Sequence, residues 1–385
     1  MPLLFAPRSI IHAPTSLARA LLCSRRLKSA QPPNVPYDIQ MKIIDWVYRY
    51  FQHGLVDFRT LRACSLVCKA WTRPSQRFLF RKTPSILNPP FGRLLSAMRT
   101  NPDLKTYVRK VSLSMYNDPE LLATKVPDFL SILALCPHVT VLQISIDDDC
   151  DLSFLHGVVN GLRALNLRLP CLHVQGVFEA IAPFIRLWPD LQSLEFLYPD
   201  DAKFNPGVPP VQLKSLKRLR MPFHDDKMQY VDCMLRRSDF SGLRELHLLY
   251  GCAAVRPHSL GALASLLESL TILKVTGAPP PQHVLDRCAQ LETLIFSAWL
   301  DEALTLPRTI QHVGYHAVMG TQARRSVQYL VHALRALQAL RLVTVTRDTP
   351  SPIRAVLLRE CQNMRVEFGV YHWSTFSTVT EAHLI

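Results

Sequence analysis

Arg218, Arg220, His247 and Lys274 are the residues whose types and spacing point most directly to recognition chemistry. They belong to three segments that share one pattern, Leu216-x-x-Leu219-x-Met221, Leu243-x-x-Leu246-x-Leu248 and Leu270-x-x-Leu273-x-Val275. In a strand of this form the apolar residues turn into the core, and the residue between the last two faces outward. That residue is Arg220, His247 and Lys274 in turn, with Arg218 on the same face two places earlier. Parallel strands lie about 4.8 Å apart, so three such strands side by side would stack these groups in a column. Such a column attracts acidic or phosphorylated segments, and Arg suits phosphate because its planar fork binds two oxygens. Glu245 beside Arg218 offsets part of the charge. A solvated basic strip with no partner is the competing reading.

Little else in the chain suits catalysis. There is no Walker loop, Gly-rich dinucleotide turn, G-x-S-x-G or H-E-x-x-H. With 13 Gly in 385 residues, a glycine-built phosphate cradle has little material. Asp147, Asp148, Asp149 and Asp151 form the densest carboxylate cluster, but they lack the ligand spacing and central Gly of an EF-hand loop. They read as a solvated loop. His312 and His316 are a pair at i, i+4, yet they straddle a predicted strand and would not share a helical face. Cys64 and Cys68 have the same spacing with no His or second Cys pair beside them, which fits small core residues rather than metal ligands. The expectation is a non-catalytic protein with no metal and no cofactor.

The elements that must position the basic column repeat along the chain. The pattern L-x-x-L-x-L recurs as Val108-Val111-Leu113, Val139-Leu142-Ile144, Leu162-Leu165-Leu167 and Leu191-Leu194-Phe196 before the three copies above. It continues as Leu291-Leu294-Phe296, Ile310-Val313-Tyr315 and Leu337-Leu340-Leu342, with a weaker copy at Met364-Val366-Phe368. Starting positions of the main copies step by 19 to 31 residues. The remaining outward positions are Ser112, Gln143, Asn166, Glu195, Ile295, Gly314 and Arg341. Amphipathic helical stretches precede most copies, among them Phe129-Ile132-Leu133-Cys136, Val177-Ile181-Ile185-Trp188, Leu260-Leu263-Leu267 and Val327-Leu330-Val331-Leu334. A helix-and-strand unit of this size cannot bury its own apolar faces, whereas stacked copies can. The spacing falls in the leucine-rich-repeat range. The repeat is degenerate, because the Asn usual after the strand core is replaced by Asp147, Pro170, Pro199, His224, Gly251 and Ala278. The reading is therefore a leucine-rich-repeat-like solenoid with a curved parallel sheet over residues 87–385, broken by Pro-rich loops at 205–210 and 279–281. The aromatic, β-branched tail from Gly369, with Trp373, is expected to cover its last repeat. An ordinary α/β domain is the alternative, disfavoured by ten copies at bounded spacing.

Residues 35–86 have a different texture. Ile39, Ile43, Val47 and Phe51 fall on one stripe of a helix that can start at Pro36, with Asp38 in its first turn. Two further helical blocks follow, one from Phe58 and Leu61 and one carrying Leu66, Val67, Trp71, Phe78 and Leu79. A unit of about 50 residues buries only a modest fraction of its surface alone, so its apolar stripe calls for a partner. The order Val35-Pro36-x-Asp38-Ile39, Ile43-Ile44-x-x-Val47, Leu61-x-x-Cys64-Ser65-Leu66-Val67-Cys68-Lys69-x-Trp71 and Leu79-Phe80-Arg81 resembles the F-box. The CSLVCKAW run followed by LFR is similar to the form common in fungal F-box proteins. Val35 stands where Leu is usual, and the link from Val47 to Leu61 is longer than typical. The resemblance implies a three-helix module that docks on a Skp-type adaptor and through it a cullin. Pro36, Ile39, Ile43, Ile44, Val47, Leu61, Leu66, Val67, Trp71 and Leu79 would supply that module and its adaptor face. The resemblance then implies a substrate-recognition subunit of a cullin–RING ubiquitin ligase, whose repeats bind a protein substrate. A non-catalytic scaffold acting outside a ligase is the alternative.

The formal net charge of +14 is uneven, with Arg8, Arg19, Arg25, Arg26 and Lys28 in a stretch that has no acid. Residues 1–34 read as a basic, disordered leader. The same composition describes a mitochondrial transit peptide, the minority reading, since matrix import would part an F-box from its adaptor. A cytoplasmic or nuclear location is expected instead. Ten scattered Cys without C-x-x-C pairs suit reduced thiols. No run reaches the roughly 18 apolar residues of a membrane span. Nucleic-acid binding lacks an aromatic-studded basic surface and is the weakest option.

Overall fold

The computed structural model of the chain describes residues 36–50, 58–67, 69–83, 90–115, 119–146, 152–176, 178–197, 213–223, 242–250, 267–276, 282–297, 300, 304–316 and 323–371. The leader, Phe51, Cys68, the cluster at 147–151, the loops at 205–210 and 279–281, Leu260, Leu263 and Trp373 lie outside these residues, as do the side chains of Val47 and Phe58. Two compact units divide at Leu79 and Phe80.

In the first unit, helices α1 (Tyr37–Tyr50), α2 (Phe58–Ser65) and α3 (Lys69–Leu79) follow one another. The Pro36 carbonyl accepts the first helical bond, from the Gln40 N–H at 3.0 Å. Pro36 thus stands just outside α1, where its missing N–H costs nothing, and Asp38 lies in the first turn near the positive end of the dipole. Ile44, Leu61 and Phe78 form a small core with Met41, Trp71 and Leu79 packed on it. Thr72 Oγ1 donates to the Ser65 carbonyl at 2.9 Å and ties the α2–α3 turn.

The second unit is one all-parallel sheet of eleven strands whose spatial order is their order in sequence. Two helices, α4 (Pro90–Thr100) and α5 (Pro102–Tyr107), precede β1 (Lys110–Met115). Then come α6 (Pro119–Leu135), β2 (Val141–Ile146), α7 (Leu152–Ala164), β3 (Cys171–Gln175), α8 (Phe178–Ile185) and β4 (Ser193–Leu197). β5 (Arg218–Phe223), β6 (Glu245–Tyr250), β7 (Ile272–Thr276), the short α9 (Gln282–Leu285), β8 (Thr293–Ser297) and β9 (His312–His316) follow. α10 (Ala323–Arg335), β10 (Leu342–Thr346), α11 (Ser351–Met364) and β11 (Glu367–Tyr371) complete it.

Most strands enter the sheet in the same way. One carbonyl of the preceding repeat accepts two successive N–H groups of the next. Lys217 and Arg218 both donate to Gln192 O, at 2.9 and 3.0 Å, and Arg244 and Glu245 both donate to Lys217 O, at 2.8 and 3.0 Å. Thr271 and Ile272 then use Arg244 O, and Glu292 and Thr293 use Thr271 O. The chain of doublets begins at Arg81 O, which takes the Arg109 and Lys110 N–H groups. Residues 81–83 therefore lie along β1, with Lys82 bridged to Lys110, and Phe80 packs on the core of the second unit. The second unit consequently starts before residue 87, because backbone pairing with β1 draws these residues to it.

Alternate residues of each strand are buried against the helices. Leu219 and Met221, Leu246 and Leu248, and Leu294 and Phe296 are at most 1% exposed. Phe296 meets Tyr315 of the next strand with ring centroids 5.3 Å apart, and the Tyr315 hydroxyl bonds Ser326 on α10 at 3.0 Å. Two expected strand frames are displaced. Leu162 belongs to α7 and Leu165 to the turn after it, so the frame is Leu169-x-x-Leu172-x-Val174 in β3. Leu337 lies in the turn after α10, so the frame is Leu340-x-x-Val343-x-Val345 in β10. Residues 369–371 of the tail belong to β11 at the end of the sheet. Replacing Phe296 by Ala removes a fully buried ring and its Tyr315 contact. It should destabilise the second unit by about 3–5 kcal/mol, read from the urea midpoint, with Phe296→Leu costing clearly less.

Candidate functional site

The expected docking residues separate into two groups. Ile44 and Leu61 are fully buried, and Trp71 and Leu79 are half-buried against them. Pro36, Ile39, Ile43, Leu66 and Val67 are exposed, with Leu66 at 75% and Val67 at 53%. Val47 lies in α1, and its side chain is outside the described residues. The exposed apolar groups come from the open side of α1 and from the turn after α2. Ile44 of α1 and Leu61 of α2 face the core instead. This unit presents large apolar side chains to solvent that its own small core does not use.

In the second unit, the register of the sheet sets the polar groups. Glu195 pairs with Arg220, Arg220 with His247, and His247 with Lys274 across β4 to β7. Arg218 aligns with Glu245 one row away. All four expected substrate-binding residues are thus brought together on the face opposite the helices. The cations are not bare, however. Lys274 Nζ donates to Glu245 Oε1 at 2.5 Å, Arg220 to Glu195 Oε1 at 3.0 Å, and Arg218 Nε lies 4.0 Å from Glu245 Oε2. His247 is buried between Arg220 and Lys274, and burial, reinforced by those two cations, lowers its pKa well below the usual value. It is neutral at pH 7. The column is an alternation of charges around an uncharged imidazole. Asn166 and Arg341, expected in this row, are replaced by His173 and Thr344 because of the two displaced frames. Asn166 instead ends the α7 turn in the left-handed region, with φ 46°.

The corrected β3 frame exposes a group that the repeat pattern had hidden. Cys171 and His173 are two apart in β3, so their side chains share the polar face. His173 Nε2 is 3.2 Å from Cys171 Sγ, and His173 Nδ1 is 3.3 Å from Glu195 Oε2. These residues line a cavity of about 250 Å³ with Lys110, Gln143, Arg218, Arg220 and His247. The signal was the C-x-H spacing within a strand, legible once the strand is placed at Leu172 rather than Leu165. Farther along the face, His312 Nε2 bonds Thr344 Oγ1 at 2.8 Å and His316 Nδ1 bonds Thr346 Oγ1 at 2.6 Å. The two His residues do share a face, that of a strand. Burial, with Lys274 adding to it, lowers the His312 pKa to about 4, and burial also lowers that of His316 against the pull of Asp348. Among the described residues, no group of His, Cys, Asp and Glu is placed to hold a metal ion, and no helix is long and apolar enough to cross a membrane.

Three histidines held neutral by burial give the second unit a definite acid response. Each has a folded-state pKa below its unfolded value near 6.5, so the unfolded chain binds more protons as pH falls. Stability is full above about pH 6.5 and declines as pH drops toward the folded values, with each histidine contributing at most about 1.4 kcal/mol per pH unit. Urea midpoints between pH 7 and 5 should fall accordingly, and His312→Gln should flatten the decline relative to its own value at pH 7.

No family model matches the chain, and no curated protein matches it. Among solved structures, the crystal structure of a TLR13–ssRNA13 complex matches at 11% identity and a TM-score of 0.22, over 71% of this chain and 52% of that chain. The chain thus spans about half the length of that protein, and a likeness at this TM-score assigns neither fold nor function.

Proposed function

We propose that this protein is the substrate-recognition subunit of a cullin–RING ubiquitin ligase, with helices α1–α3 acting as an F-box and the repeat unit holding a protein substrate. The observation that carries the reading is the exposure of Ile39, Ile43, Leu66 and Val67 on a unit whose ordered residues resemble the F-box. Apolar side chains of this size, left open by a core of a few residues, are anchors for a partner, and a few such anchors dominate the energy of a standard interface. On this reading Ile44 and Leu61, with Trp71 and Leu79, hold the module together. Pro36, Ile39, Ile43, Leu66 and Val67 meet a Skp-type adaptor, which connects the chain to a cullin. The substrate lies on the polar face of the sheet, across Arg218, Arg220, His247 and Lys274. Because Glu195 and Glu245 already engage these cations, an acidic or phosphorylated segment binds by displacing a glutamate from Arg218 or Arg220, the two that are less buried than Lys274. Within such a complex the chain is non-catalytic and acts by placing the substrate.

Two variants test the two halves separately. Leu66→Glu combined with Val67→Glu should weaken capture of a purified Skp-type adaptor by at least about a hundredfold, since losing hot-spot anchors costs several kcal/mol. The urea midpoint of the repeat unit should not move. Capture at the wild-type level would overturn the F-box reading. Arg218→Glu combined with Arg220→Glu should remove acidic or phosphorylated partners from a pull-down while adaptor binding persists. An unchanged partner set would leave the face as ordinary surface.

A further inference from the structure

Among the described residues, three buried thiols are governed chiefly by their burial. Burial pushes Cys136 and Cys361 up to about 11 and Cys288 up to about 12, which keeps them protonated and unreactive. Cys171 has different neighbours. It stands on the polar face of β3, lines the cavity, and meets His173 Nε2 at 3.2 Å. The partners of His173 decide its tautomer. Glu195 can only accept, so the imidazole proton lies on Nδ1, facing Oε2 at 3.3 Å. In the neutral ring Nε2 then carries a lone pair toward the thiol. Arg220 holds the other carboxylate oxygen of Glu195 at 3.0 Å, which fixes the direction of the pair. Nucleophile, base and orienting carboxylate stand in sequence across two neighbouring strands, within hydrogen-bond reach at each step.

We propose that Cys171, His173 and Glu195 form a nucleophilic thiol centre that adds to small α,β-unsaturated carbonyl compounds bearing a carboxylate. The cavity volume of about 250 Å³ lies below the range for drug-sized ligands, which sets the size. Lys110 and Arg218 line the same cavity and favour an anionic end. In the addition, the thiol proton moves to His173 Nε2 as sulfur bonds the β-carbon. The π pair of the C=C bond passes to the α-carbon, which takes the proton back from His173. Nothing leaves, and no oxidant or reductant is consumed. Glu195 is the positioning residue. The inference does not rest on the ligase reading, although the cavity shares Arg218, Arg220 and His247 with the substrate face proposed above; labelling of Cys171 and capture of an adaptor report on the two separately.

The test follows adduct formation on the intact full-length chain, with peptide mass spectrometry resolving each cysteine. The probes are monomethyl fumarate, which carries a carboxylate, and acrylamide, which does not. The titratable groups around the thiol are Lys110 on β1, His173 on β3, Glu195 on β4, Arg218 and Arg220 on β5, and Glu245 and His247 on β6; β2 contributes Val141 and Gln143. At pH 7 Cys171 should react at least about tenfold faster than Cys136, Cys288 and Cys361, and faster with monomethyl fumarate relative to acrylamide than a free thiol does. His173→Gln should slow the reaction about tenfold or more, and Glu195→Gln should fall between, with the preference for monomethyl fumarate over acrylamide kept, which a collapsed cavity would lose. The comparison of the four cysteines within the wild-type chain decides the matter even where a variant misfolds. A Cys171 that is unlabelled, or that labels no faster than Cys288, overturns the proposal.

Discussion

The repeat unit depends on one small device, a carbonyl that accepts two consecutive N–H groups from the repeat that follows. Because the two donors are adjacent in sequence, the bond fixes where the next strand begins to within a residue, and parallel pairing then carries that register along the strand. A slip of one residue would turn every apolar side chain of a strand to the wrong face. In a stack where each repeat touches chiefly its neighbours, such errors would add up. The device resets the register at most steps. It is purely backbone, which explains how repeats as degenerate as these, with connections of different lengths, still form one ordered sheet.

Register in turn creates the chemistry of the polar face. Glu195, Arg220, His247 and Lys274 are separated by more than twenty residues each, yet they stand side by side because the same position of every repeat falls in one row. Groups brought this close must be compatible. Two glutamates meet three cations, and the imidazole between two cations loses its charge. The face is therefore a self-compensated strip in which each charge is held in place by another. Such a surface is pre-ordered, so a partner that replaces one member of a pair finds the remaining group already oriented.

Much of this was legible in the residues and some of it was not. The strand frames from Leu191 to Ile310 could be read directly, because each follows a loop or turn and stands alone. Leu162-x-x-Leu165 misled for a physical reason. Its i, i+3 spacing is also that of a helix, and at the end of α7 the two patterns cannot be told apart by hydrophobicity. Leu337 misled in the same way after α10. The error hid the Cys171–His173 pair, whose chemistry appears only once both are on one face. In the first unit the stripe Ile39-Ile43 was visible, but which apolar residues serve the fold and which stay open depended on how three short helices pack. Spacing within one helix carries no such information. The partners of the cations were half visible, since Glu195 and Glu245 could be read in the rows but their side-chain directions could not.

Pro170 interrupts the doublet rule. It stands where the first donor of the β3 pair would be, and having no N–H it leaves Cys171 alone to bond Thr140 O, at 3.2 Å. Among the described junctions inside the sheet, each of the others has two such bonds; the remaining single one, at Glu367, joins the last strand. At this seam, where the thiol also lies, the register is therefore carried chiefly by the five positions at which β2 and β3 pair rather than by the doublet at the strand entry.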